Sequence, residues 1–129
     1  RPVPDPVTTD LRLRAIRGAI TVPGDTGDEI AEATGELLAA VLERNGLAVD
    51  DLVSVVFTAT PDLTAEFPAA AARRLGLSAI PMLCAQELAV EGSMPRCIRV
   101  LVHCSMPAAR AIRHVYLREA RQLRLDLPE

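Results

Sequence analysis

Lysine and tryptophan are absent from the 129 residues, and the only aromatic side chains are Phe57, Phe67 and Tyr116. Without Lys there is no Schiff-base nucleophile, no pyridoxal anchor and no P-loop cation. Three aromatic rings leave almost no material for stacking single-stranded bases. A net charge of −3 argues against a broad phosphate-binding surface, so nucleic acid is not an expected partner. The cysteines, Cys84, Cys97 and Cys104, are odd in number and form no CxxC, so neither a disulfide framework nor a metal site is expected. GxSxG, GxGxxG and HExxH are missing. No signal peptide is visible, and no apolar run approaches the length of a membrane span. A soluble, cytoplasmic chain without a membrane partner is the expectation.

What is present suits one domain whose core is built from Leu, Val, Ile and Ala. Pro at 2, 4 and 6 marks Arg1–Asp10 as a flexible arm, leaving residues 11–129 as the domain. Alternation predicts a strand over Leu11–Val22. Thr26-Gly-Asp-Glu29 has the form of a capping box, in which hydroxyl and carboxylate satisfy backbone N–H groups at a helix start. The helical spacing of Ile30, Ala33, Leu37, Leu38, Val41 and Leu42 follows, and Asn45-Gly46 ends it. Further strands are predicted at Leu52–Thr60, Ile80–Cys84 and Cys97–Cys104, the last central in a sheet. A short helix is predicted from Thr64 or Phe67 to Leu75, stopping at Gly76. Ala108–Gln122 is open: its propensity favours helix, while Ile112, His114 and Tyr116 alternate against Arg113, Val115 and Leu117 as in a strand.

All permanent cations are Arg, whose planar fork binds carboxylates through two parallel hydrogen bonds. Arg17, Arg99 and Arg113 lie in or beside apolar runs, where an unpaired buried charge is costly. Each could turn to a solvated face; together they could form a pocket for a small polyanion. A catalytic Cys84 paired with a His is less expected than a Cys acting as a small hydrophobe.

Several blocks then carry a specific resemblance. They are Arg14-Ala-Ile-Arg-Gly-Ala-Ile-Thr21, Ala59-Thr-Pro-Asp-Leu-Thr-Ala-Glu-Phe-Pro-Ala69, Pro81-Met-Leu-Cys-Ala-Gln-Glu87, Arg96-Cys-Ile-Arg-Val100 and Ile112-Arg-His-Val-Tyr-Leu117. In that order they resemble the monofunctional, trimeric chorismate mutases of the AroH class, over about Leu13 to Leu127. The resemblance implies an α+β fold, a mixed five-stranded sheet with one long and one shorter helix, three subunits forming a pseudo-α/β-barrel, and active sites at the subunit interfaces. It favours strand over helix for Arg113–Leu123. It implies the rearrangement of chorismate to prephenate, with no cofactor and no metal. By the same likeness Arg17, Glu87, Arg99 and Tyr116 are the catalytic set, with Cys84 near Glu87. Phe67, Ala69 and Arg73 would line the pocket from the adjacent subunit, and Leu123 its rim. Ala70 stands where relatives carry Lys, Met82 and Leu83 replace smaller or more polar residues, and Leu125 replaces a Pro. The competing reading is a non-catalytic trimeric protein that binds small carboxylates on the same scaffold; the presence of Glu87 beside the arginines argues against it.

Overall fold

A computed structural model describes residues 10–124; most of the N-terminal arm and Leu125 lie outside them. The elements in chain order are β1 (Leu11–Thr21), α1 (Gly27–Arg44), β2 (Leu52–Ala59), α2 (Pro68–Ala72), β3 (Met82–Gln86), β4 (Cys97–Pro107) and β5 (Val115–Leu117). The strands make one mixed sheet in the order β3-β2-β4-β1-β5, with β4 at its centre as its apolar run predicts. β4 pairs antiparallel with β1 and β2, while β3 and β5 add parallel edges. No described helix is long and apolar enough to cross a membrane.

The two faces of the sheet have different fates. Ile16, Ile20, Val55, Phe57, Ile98, Val100 and Val102 point to one face and are buried with Ile30, Ala33, Leu37 and Val41 of α1. Gly18 lets the helix approach: a Cβ there would lie 3.1 Å from Leu37 Cδ1, Val100 Cγ1 and the Val115 carbonyl oxygen. The α1 start is capped by Thr26, whose hydroxyl oxygen accepts from the Glu29 N–H at 3.1 Å. The Glu29 carboxylate accepts from that hydroxyl at 2.9 Å, so the carboxylate serves the capping side chain. At the other end Asn45 is 1% exposed and fully occupied. Its amide donates to the carbonyls of Val41 and Arg113, and its oxygen accepts from the Arg113 N–H at 2.8 Å, joining the helix end to the approach to β5.

Four elements depart from expectation by more than one residue. β4 runs on to Pro107 rather than ending at Cys104, because Ser105, Met106 and Pro107 pair with Leu13, Arg12 and Leu11 of β1. β3 begins at Met82 rather than Ile80, because Ile80 closes a turn onto the Leu77 carbonyl and Pro81 has no N–H to give to a ladder. α2 ends as α-helix at Ala72 and continues as a wide turn over Arg73–Leu77, where Gly76 takes a φ of 100°. The open C-terminal segment divides: Val115–Leu117 is strand, and Arg118–Leu123 is a 3-10 helix rather than strand. Arg118, at φ 55°, breaks the extended run. The turn then lays Ala120 and Leu123 over Ala19 and Cys97 on the outer face of the sheet.

Candidate active site

The outer face gathers the charged and polar side chains of the strands. Pairing aligns Ala85, Thr58, Arg99, Ala19 and Tyr116 in one row across all five strands. Residues opposite one another in a ladder share a face, so Thr58, Arg99 and Tyr116 project to the same side. Ala19 separates Arg99 from Tyr116 and is itself covered by Ala120 and Leu123, so the open space lies beside it, toward Arg17. Arg17 lies two residues back on β1, hence on the same face. A hollow of about 310 Å³ opens here, lined by Arg17, Val56, Thr58, Arg99, Leu101 and Tyr116 among others.

Glu87 follows β3 directly and is fixed by its backbone N–H, which donates to the Ala59 carbonyl at 3.0 Å. Its carboxylate reaches back over the row. Arg99 Nε donates to Oε1 at 3.1 Å and lies 3.0 Å from Oε2. The Thr58 hydroxyl donates to Oε2 at 2.7 Å. Glu87 does not itself line the hollow, but both of its partners do. The ion pair uses Arg99 Nε, so the two terminal amino groups of that guanidinium are not taken by the carboxylate. The Arg99 side chain is 42% exposed and that of Glu87 17%, so the pair sits at a mouth rather than in the core.

The start of β4, which aims Arg99, is buckled to the loop after β2. Thr60 accepts from the Cys97 N–H at 3.0 Å and donates to Asp62, and Asp62 accepts from the Arg96 N–H at 3.0 Å. The Thr-Pro-Asp motif thereby positions Arg99 without touching it. Cys97 itself is no nucleophile: burial, opposed by Arg99 and assisted by Glu87 and Asp62, pushes its thiol up to about 11.

A second hollow of about 280 Å³ lies elsewhere, lined by Thr64, Phe67, Cys84, Ala85 and neighbours. β3 alternates, and Cys84 is in register with buried Phe57, so it faces the side opposite to Thr58. The expectation of Cys84 beside Glu87 is not met within one chain; it stands with Phe67 instead. Phe67 is 66% exposed. Ala69 is buried in α2, and Arg73 is exposed at the start of the wide turn. Leu123 packs with Tyr116 against the Ala19 cluster. Arg113 lines neither hollow and leads into β5. Leu83 is 71% exposed on the outer face, and Met82 packs at the core margin. Thr58 was not singled out by any motif; only strand register brings its hydroxyl to Glu87.

His114 supports Arg17 from the neighbouring strand approach, accepting from the Arg17 N–H through Nδ1 at 3.0 Å. That bond requires an unprotonated Nδ1. Burial first, then the Arg17 and Arg124 guanidiniums, lower the imidazole below its ordinary 6.5. The unfolded chain therefore takes up the proton before the folded one. Stability from this group is complete above about pH 6.5 and is lost as pH falls from there through the lowered folded value. His114→Asn keeps an acceptor near Nδ1 and cannot titrate. Its melting temperature is expected to fall less than that of the parent between about pH 7.5 and pH 5; equal falls would assign the acid sensitivity elsewhere.

Known proteins give this geometry a context. A model of the family chorismate mutase type I matches residues 13–127. Chorismate mutase AroH of Thermus thermophilus is 52% identical over 118 residues, covering 89% of this chain and 96% of that protein. Its counterpart from Bacillus subtilis (strain 168) is 44% identical over 120 residues, covering 91% and 94%. The structure of a chorismate mutase from Clostridium thermocellum superposes with a TM-score of 0.79 at 45% identity, covering 84% of this chain and 98% of that one. With the strand order, the Arg99–Glu87 pair and these matches taken together, the chain belongs to the chorismate mutase type I family.

Proposed function

We propose that this chain, an enzyme of that family, rearranges chorismate to prephenate on the route to Phe and Tyr, in a site completed between subunits of a cytoplasmic homotrimer. The reaction is pericyclic: a C–O bond breaks as a C–C bond forms, with no proton transfer and no covalent intermediate. It asks the protein for two things, a held conformer and stabilisation of the charge that grows on the ether oxygen. Neither requires a cofactor or a metal.

The observation that carries the reading is the row of Arg99 and Tyr116 beside Arg17, with Glu87 bound to Arg99 at the rim. Arg17 and Tyr116 hold the side-chain carboxylate and so fix the compact conformer; orientation of this kind is worth up to roughly 7–11 kcal/mol. Glu87 accepts a hydrogen bond from the ring hydroxyl. Arg99 donates to the ether oxygen from an amino group that the Glu87 pair leaves unused, and it is in place before charge develops.

Two features support assembly into a ring of three. Phe67 and Cys84 open to a different space from Arg99, so a pocket using both sets draws them from two chains. The outer sheet face also leaves Leu13 68% and Leu83 71% exposed, apolar surface that a neighbouring copy would cover. Heterologous contacts close when each copy turns by a third of a circle. Ala69, Arg73 and Leu123 would then frame the pocket.

The test is loss of chorismate, followed by ultraviolet absorbance with chelator present, alongside the mass in solution. Prephenate formation by a trimer is the expected outcome. A folded trimer without turnover that still binds a small dicarboxylate by calorimetry would leave the binding-protein reading in its place.

A further inference from the structure

We propose that Thr58 is a positioning residue for this reaction, holding the Glu87 carboxylate so that one oxygen is committed to the protein and the other is offered to substrate. The proposal rests on the reading above for its kinetic consequences, and on geometry alone for the anchor itself.

Thr58 and Arg99 are register partners across β2 and β4, so their side chains rise side by side from adjacent strands. Glu87 arrives from a third strand end and bridges them. A carboxylate has about four lone-pair sites. Oε2 accepts the Thr58 hydroxyl at 2.7 Å and lies 3.0 Å from Arg99 Nε, while Oε1 accepts only from that Nε, at 3.1 Å. The spare acceptor therefore resides on Oε1, the oxygen not held by Thr58. Arg99 alone would not set this. A single N–H midway between two oxygens lets the carboxylate swing about the contact, and the Arg99 side chain is long and partly exposed. The Thr58 donor is short, β-branched and restricted in χ1 by the strand. It supplies the second fixed point that a planar group needs to be held in one orientation. Because Glu87 also constrains Nε of Arg99, the same hydroxyl indirectly orients the guanidinium whose terminal amino groups face substrate.

The experiment compares Thr58→Val, which keeps the shape and deletes the donor, with Thr58→Ser, which keeps the donor. Thr58→Val is expected to lose about 10-fold in kcat/KM, as for a lost hydrogen bond to a charged group. Thr58→Ser should stay within about twofold of the parent. In a Glu87→Ala background the Thr58→Val effect should shrink to within about twofold, since no carboxylate remains to be held. A merely structural Thr58 would show its full loss in both backgrounds and no rescue by Ser, and that result overturns the proposal. A crystal structure of Thr58→Val gives an answer independent of turnover: a displaced Glu87 carboxylate supports the anchor, and an unmoved one overturns it. A parent that fails to turn over chorismate would sink the reaction while leaving the anchor to be decided by that structure.

Discussion

Arg99→Ala is expected to lower kcat by at least roughly 100-fold, the cost typical of removing one preorganised donor from a developing oxyanion. The residue stands at the centre of the row formed by Thr58, Arg99, Ala19 and Tyr116, on the central strand of the sheet. Its backbone is immobilised on both sides by antiparallel ladders and at its start by the Thr60–Asp62 buckle. In the proposed mechanism the donor would meet the ether oxygen without reorganisation, and no Lys exists anywhere in the chain to substitute for it. Substrate binding should suffer less, because Arg17 remains to hold a carboxylate. Glu87→Gln should cost far less than Arg99→Ala, since an amide oxygen in the place of Oε1 can still accept the substrate hydroxyl while the amide nitrogen in the place of Oε2 donates to the Thr58 oxygen. Steady-state chorismate assays on the purified variants check both. An Arg99→Ala kcat within a few-fold of the parent would remove Arg99 from the mechanism, and equal losses in the two variants would show that the Glu87 charge itself is needed.

The second large effect is on stability. Phe57→Ala is expected to cost about 3–5 kcal/mol. Phe57 is fully buried in β2 and is the largest side chain of the core; the only other Phe lies on the surface. The rest of the core is mostly branched aliphatic side chains held on the sheet and on α1, which do not readily shift to fill an aromatic-sized void. Its strand neighbour Thr58 faces the site, so the same cavity would loosen the row that holds Glu87. Denaturant unfolding at fixed protein concentration measures the loss. A cost below about 1 kcal/mol would mean that α1 collapses onto the gap.

Long periodic elements were legible from residues alone. The α1 stripe, its Thr26 start and the Asn45 stop follow from helical spacing and capping chemistry, and the apolar run of β4 announces a central strand. Arg99 is legible as an anomaly, a charge inside that run, but its neighbour in space is not. Glu87 lies 12 residues from it in sequence and meets it only because β2, between β3 and β4 in the sheet, sets both registers. Thr58 is invisible for the same reason. The segment after Ala108 misleads because local preference and tertiary demand disagree. The chain needs three extended residues to pair with Gly18, Ala19 and Ile20, and then a turn to cover Ala19, so neither a uniform helix nor a uniform strand satisfies it. Cys84 shows the limit of motif reading: only Ala85 and Gln86 separate it from Glu87, yet strand alternation sends it to the opposite side of the sheet.

β4 has one further consequence. Its eleven residues alternate between two occupations, Ile98, Val100 and Val102 packing against the helix while Arg99 and Leu101 face the hollow. A strand has a period of two, so deleting or inserting one residue exchanges the two sets along its whole length. Such an indel would drive a guanidinium beneath α1 and leave a valine to face the hollow, and both folding and turnover are expected to fail. A substitution in β4 alters one contact at a time, whereas a change in the number of its residues turns many side chains over at once, so a change of length is expected to be tolerated in the loops on either side and not within the strand.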